Sequence, residues 1–78
     1  MLKITMLSDK ILSRRCELGL TQRDISLAID VSELSVRCWE NGIYEPSVTH
    51  LVKLSVLLDI SLDELLEEEF KHARHNNQ

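Results

Sequence analysis

Between Ser32 and Gly42 the stretch SELSVRCWENG crowds a tryptophan, a cysteine, an arginine and two glutamates into a few turns. Neither cysteine, Cys16 nor Cys38, has the CxxC or Cys/His spacing of a zinc or redox centre, so free thiols are the expectation. Cys38 has only Arg37 beside it to favour a thiolate and reads as an inert small residue rather than an oxidation sensor. His72 and His75 are spaced to share a metal ion on a helix, but a solvated tail explains them as well, and no metal site is assigned. Lone His50 carries no hypothesis. Catalysis lacks an inventory: no nucleophile, base and orienting group fall together, two glycines make no phosphate loop, and adjacent carboxylates occur only in the run Glu67-Glu68-Glu69. The chain is not expected to be an enzyme or to need a cofactor.

The elements that carry these residues announce themselves through their caps. Ser8, Thr21, Ser32, Ser47 and Ser61 each precede a stretch with apolar residues at helical spacing, and each hydroxyl suits the free N–H groups of a first turn. Asp24 and Glu64 complete the capping pattern after Thr21 and Ser61. Ile11 and Leu18, Ile25 and Ile29, Val36 and Trp39, Leu51, Leu54 and Leu58, and Leu62, Leu65 and Leu66 repeat at three, four or seven residues, which predicts five short helices. Their links are too short for anything but packed neighbours, giving one compact all-α bundle. Residues 1–8 form an N-terminal arm, 9–70 the domain and 71–78, ending in HARHNNQ, a frayed tail.

Two of these helices, between Thr21 and Glu40, are joined by Asp30-Val31-Ser32, a link that forces a sharp crossing. Small Ser26 permits close approach, and Ile25, Ile29, Val31 and Val36 fill the angle. Glu33, Leu34, Arg37, Cys38 and Asn41 are then expected on the outward face of the second helix, which would fit a DNA major groove. Arg15, Gly19-Leu20-Thr21-Gln22, Ile25, Ser26, Val31-Ser32, Val36, Trp39-Glu40-Asn41-Gly42, Pro46-Ser47 and Leu62-Asp63-Glu64-Leu65 fall at the spacing of one family. Over residues 9–66 the chain closely resembles the Cro/CI-type (XRE) helix-turn-helix regulators. That resemblance implies a five-helix, lambda-repressor-like DNA-binding domain with its helix-turn-helix at 21–40.

It also implies roles. Gln22 corresponds to a glutamine that binds a DNA phosphate, with Thr21 and Asn41 at phosphate-contacting positions beside it. Glu33, Leu34, Arg37 and Cys38 stand where members present side chains to base edges, and Ser32 and Ser35 reach base or phosphate. Arg15 and Glu40 match an interior ion pair. Arg14, Arg23, Lys10 and Lys53 are either phosphate contacts or ordinary solvated charges. The sequence departs from the family pattern at Asp30 and Asp59, where Gly is usual, and at Ile43-Tyr44-Glu45, where relatives carry basic residues. Among base readers Arg37 is the strongest, since an arginine can pair bidentately with guanine while Leu34 can touch only a thymine methyl.

Net charge weighs against a polyanionic partner: the 78 residues carry −4. Distribution reverses the inference, because the excess acid lies from Asp59 onward and residues 1–58 are balanced at seven acids and seven bases. The stripe Leu62, Leu65, Leu66, Phe70 and Ala73 is longer than the core needs, so Leu66, Phe70 and Ala73 are expected at a homodimer interface. No apolar run approaches the ~20 residues of a membrane span, which points to a cytoplasmic protein. The expected partner is double-stranded DNA, read as an inverted repeat by a homodimer that represses transcription. A protein-interaction module retaining the helix-turn-helix as scaffold, acting through an unidentified protein partner, is the alternative.

Overall fold

The computed structural model describes residues 6–67. Five helices follow in order: α1 (Leu7–Glu17), α2 (Gln22–Ile29), α3 (Glu33–Glu40), α4 (Val48–Leu57) and α5 (Leu62–Leu65). Among the described residues there is no strand. Four caps act where the sequence places them. The hydroxyls of Thr21, Ser32, Ser47 and Ser61 accept from the backbone N–H groups of Asp24, Ser35, His50 and Glu64. At Thr21 the exchange is reciprocal, because Asp24 Oδ2 accepts from the Thr21 N–H at 2.8 Å.

The first helix departs from expectation. It starts at Leu7, before Ser8, and Asp9 Oδ2 accepts from the Met6 N–H. Leu7 is buried, and extending the helix by this residue puts an apolar side chain at the core end of the first turn. Two turns run through left-handed aspartates, Asp30 at φ 60° and Asp59 at φ 52°. Each holds a conformation in which Gly would avoid a cost of roughly 1 kcal/mol. Beyond the end of α3 the left-handed Gly42, φ 70°, turns the chain so that the Ile43 N–H reaches back to the Cys38 carbonyl at 2.9 Å.

Every helix contributes to one core, with Ile11, Ile25, Val36, Leu54, Leu58 and Leu65 fully enclosed. Burying each such side chain stabilises the fold by about 1.5–3 kcal/mol. Ser26 is buried where α2 meets α3 and donates to the Arg23 carbonyl at 2.7 Å, so its smallness costs no unpaired hydroxyl. Cations tie the ends of the bundle. Arg14 Nε donates to the Leu58 carbonyl at 2.7 Å and its Nη2 to the Asp59 carbonyl at 3.3 Å, closing the C-terminus of α4. Lys10 Nζ donates to the Glu64 carbonyl. Val48, Val52 and Val56 line the outer side of α4 and remain exposed. Of the proposed dimer stripe, Leu66 is half-buried against the core, while Phe70 and Ala73 lie outside the described residues.

Candidate nucleic-acid interface

Placement of α3 begins with what it buries. Val36 and Trp39 enter the core, and Glu40, at the last turn, is buried although charged. Its charge is met by Arg15 from α1: Nε lies 2.6 Å from Oε2 and Nη2 3.0 Å from Oε1, a two-pronged pair. The Arg15 Nη1 donates to the Leu20 carbonyl at 2.9 Å, so this guanidinium spends its donors inside the protein. The hydrogen bond to Glu40 raises the Arg15 pKa further above its ordinary value, against the lowering effect of burial.

Gln22 joins the same carboxylate. Its Nε2 donates to Glu40 Oε1 at 3.0 Å, which fixes the amide at the first turn of α2. The sequence assigned Gln22 and Glu40 separate roles, and nothing local links residues on different helices. The contact leaves the Gln22 carbonyl oxygen and second N–H outside the Glu40 bond, and ties their aim to the ion pair. Through Glu40, α1, α2 and the end of α3 share one polar node.

On its other side α3 is open. Leu34 is 59% exposed, and the Arg37 side chain is exposed with no hydrogen bond or ion pair among the described residues. Asn41, at the C-cap, is exposed too. Glu33 lies 4.0 Å from Arg23 Nη1 across the α2–α3 angle, a loose contact between exposed groups that contributes little to stability. At the N-terminus of α3 the Ser32 and Ser35 hydroxyls are 3.0 Å apart.

Two residues are not where the sequence reading puts them. Cys38, expected on the outward face, is buried. A short, apolar thiol is readily enclosed on a helix that packs against the core, and free cysteine is among the side chains most often buried. Arg14, a candidate phosphate contact, has its Nε and Nη2 on the last carbonyls of α4, where a cation meets the negative end of the helix. His50, without a role in the sequence reading, packs its ring against Trp39 at a tilt of 41°, with 5.5 Å between centroids.

A pair of helices crossed about a small buried serine, the second showing an open polar face, defines a helix-turn-helix domain. The chain belongs to the helix-turn-helix family HTH_3, whose model matches residues 11–65, and is of the Cro/CI (XRE) type. Proteins of this kind are DNA-binding transcriptional regulators. Among solved structures it is similar to the P22 c2 repressor bound to a synthetic operator, with 29% identity, a TM-score of 0.76, and coverage of 80% of this chain and 94% of that one. It is likewise similar to SinR, a master regulator of biofilm formation, in complex with DNA (27% identity, TM-score 0.72, 78% and 98% coverage). A third neighbour is the restriction-modification controller protein C.AhdI from Aeromonas hydrophila (25% identity, TM-score 0.70, 76% and 89% coverage). No curated protein sequence matches the chain. Among the described residues no helix is long and apolar enough to cross a membrane.

Proposed function

We propose that the chain is a sequence-specific repressor that grips an inverted-repeat operator as a homodimer in the cytoplasm, without catalysis or cofactor. The observation that carries this reading is Arg37, whose side chain is exposed on α3 and unpartnered among the described residues while Arg14 and Arg15 are consumed internally. An arginine left free in the middle of an open helix face is a guanine reader, and Leu34 and Glu33 flank it. Gln22, Thr21, Asn41 and Arg23 surround that face as phosphate contacts, with Ser32 and Ser35 at its N-terminal end. Cys38 drops out of the base-reading set because of its burial. The P22 c2 repressor and SinR, each solved on DNA, support the same docking. Phe70, Ala73 and Leu66 are proposed to join the two subunits, which sets half-sites about 34–36 Å apart.

Binding is tested by fluorescence anisotropy on duplexes selected from a random library, across a salt series. Arg23 and Arg37 are the cations of the proposed face, so the log–log slope should lie between about −1 and −2 per subunit, since each neutralised phosphate contributes about −0.9. Arg37→Ala should relax preference at one base pair by roughly 1–3 kcal/mol, while Gln22→Ala weakens all sequences alike. A protein that ignores duplex even at low salt, or an Arg37→Ala variant with unchanged preference, overturns the reading.

A further inference from the structure

Tyr44 follows α3 in a loop where the chain offers Ile43 and Glu45 and no cation. Tyr44 is 49% exposed and, together with Trp39, Gly42, Pro46, Met6 and Leu7, lines a hollow of about 220 Å³. Its hydroxyl reaches back along α3 and directs its proton at Ser35 Oγ from 3.5 Å, a weak contact longer than the roughly 2.5–3.0 Å of an ordinary O–H···O bond. Ser35 Oγ is in turn 3.0 Å from Ser32 Oγ, which already accepts from the Ser35 N–H at 3.0 Å. Three hydroxyls thus run in file from the loop to the N-cap of the reading helix.

A hydroxyl has one proton and two lone pairs. If Ser32 donates to Ser35, then Ser35 accepts from both Ser32 and Tyr44, and its own proton is left over. If instead Ser35 donates to Ser32, then Ser32 accepts from the Ser35 N–H and the Ser35 hydroxyl, and the Ser32 proton is left over. With Tyr44 present, either arrangement leaves one serine hydroxyl that can only donate. Without the phenol only the second does, because in the first Ser35 keeps a free lone pair. Donation through the file also polarises the outgoing O–H.

We infer that Tyr44 is a positioning residue for DNA, holding the Ser32–Ser35 pair as a donor to one backbone phosphate at the N-terminal end of α3. A phosphate oxygen only accepts, so a donor-locked hydroxyl matches it, and a neutral contact replaces attraction that the cation-free loop does not supply. The inference rests on the DNA-binding reading above.

The test measures the affinity of wild type, Tyr44→Phe, Ser35→Ala and the double variant for the selected operator, with single phosphates replaced in turn by neutral methylphosphonates. Tyr44→Phe keeps the ring and should melt as wild type does. It should bind about 3- to 10-fold more weakly, the loss expected for one neutral hydrogen bond, at an unchanged salt slope. The double variant should bind no worse than Ser35→Ala, and both single variants should lose sensitivity at the same methylphosphonate. Wild-type affinity for Tyr44→Phe, losses that multiply in the double variant, or sensitivities that differ in position would overturn the role of Tyr44 while leaving DNA binding intact. A wild type that retains no duplex would sink both readings together.

Discussion

Replacing Glu40 by alanine should be the most damaging single change at the polar node. Its side chain is 3% exposed and that of Arg15 14%, so water cannot take over from the lost partner. Three donors lose their acceptor: Arg15 Nε and Nη2, and Gln22 Nε2. Only the Leu20 carbonyl remains to Arg15, leaving a largely buried cation uncompensated. Breaking such a pair from one side costs about 3–5 kcal/mol. A domain of this length has in total about 4–12 kcal/mol, so the variant would sit near its unfolding threshold, with Tm lowered on the order of 15–30 °C. The assay is urea unfolding followed by Trp39, the one tryptophan, which is 3% exposed in the fold. Since the penalty comes from an orphaned charge, adding Arg15→Met to Glu40→Ala should recover more than half of it. A Glu40→Ala midpoint within about 0.5 kcal/mol of wild type, at equal m-value, would refute the reasoning.

Three further outcomes follow from other contacts. Arg14→Ala removes two hydrogen bonds to the end of α4 and should cost about 1.5–2 kcal/mol in the same unfolding assay, with unchanged salt slope on DNA. Asp24 is held below the usual carboxylate range by the Thr21 backbone N–H and, secondarily, the Thr21 hydroxyl. A depressed folded pKa means that the unfolded chain binds the proton more readily, so this contribution is complete above the unfolded value near 3.9 and is lost as pH falls through the folded one. Asp24→Asn should flatten that part of the acid limb of a stability–pH profile, and an unaltered limb would remove the carboxylate from the account. Asp30→Gly should relieve left-handed strain and gain up to about 1 kcal/mol, reduced by the greater freedom glycine gives the unfolded chain. A lower midpoint for Asp30→Gly would show that the aspartate holds the turn by more than its backbone.

What the sequence revealed and what it hid divide by distance along the chain. Thr21, Ser32, Ser47 and Ser61 were legible because a cap satisfies donors three residues away, whereas the two left-handed aspartates stood out only against the family pattern, which has Gly at both positions. Family resemblance, not periodicity, paired Arg15 with Glu40. Cys38 lies on the outward side of a helical wheel and is nonetheless buried, because a wheel holds only the helix's own residues. Arg14 could be read as free only while the end of α4, far along the chain, was out of view. The same holds for Tyr44 and Ser35, nine residues apart on a loop and a helix, which no spacing rule joins.

The charge balance takes on a different meaning once these contacts are known. Lys10, Arg14 and Arg15 spend their donors on Glu64, on the end of α4 and on Glu40, so a count of bases overstates what is available to a polyanion. Arg23 and Arg37 remain on the proposed face, joined by neutral groups on Gln22, Asn41, Ser32, Ser35 and Tyr44. Such a surface has little long-range attraction and depends on short, directional donors held in place before DNA arrives. Affinity should then be set by how rigidly those donors are aimed, as Gln22 is by its hydrogen bond to Glu40. An acidic chain can bind DNA on these terms, with discrimination concentrated in Arg37 and weak retention of non-specific duplex as salt rises.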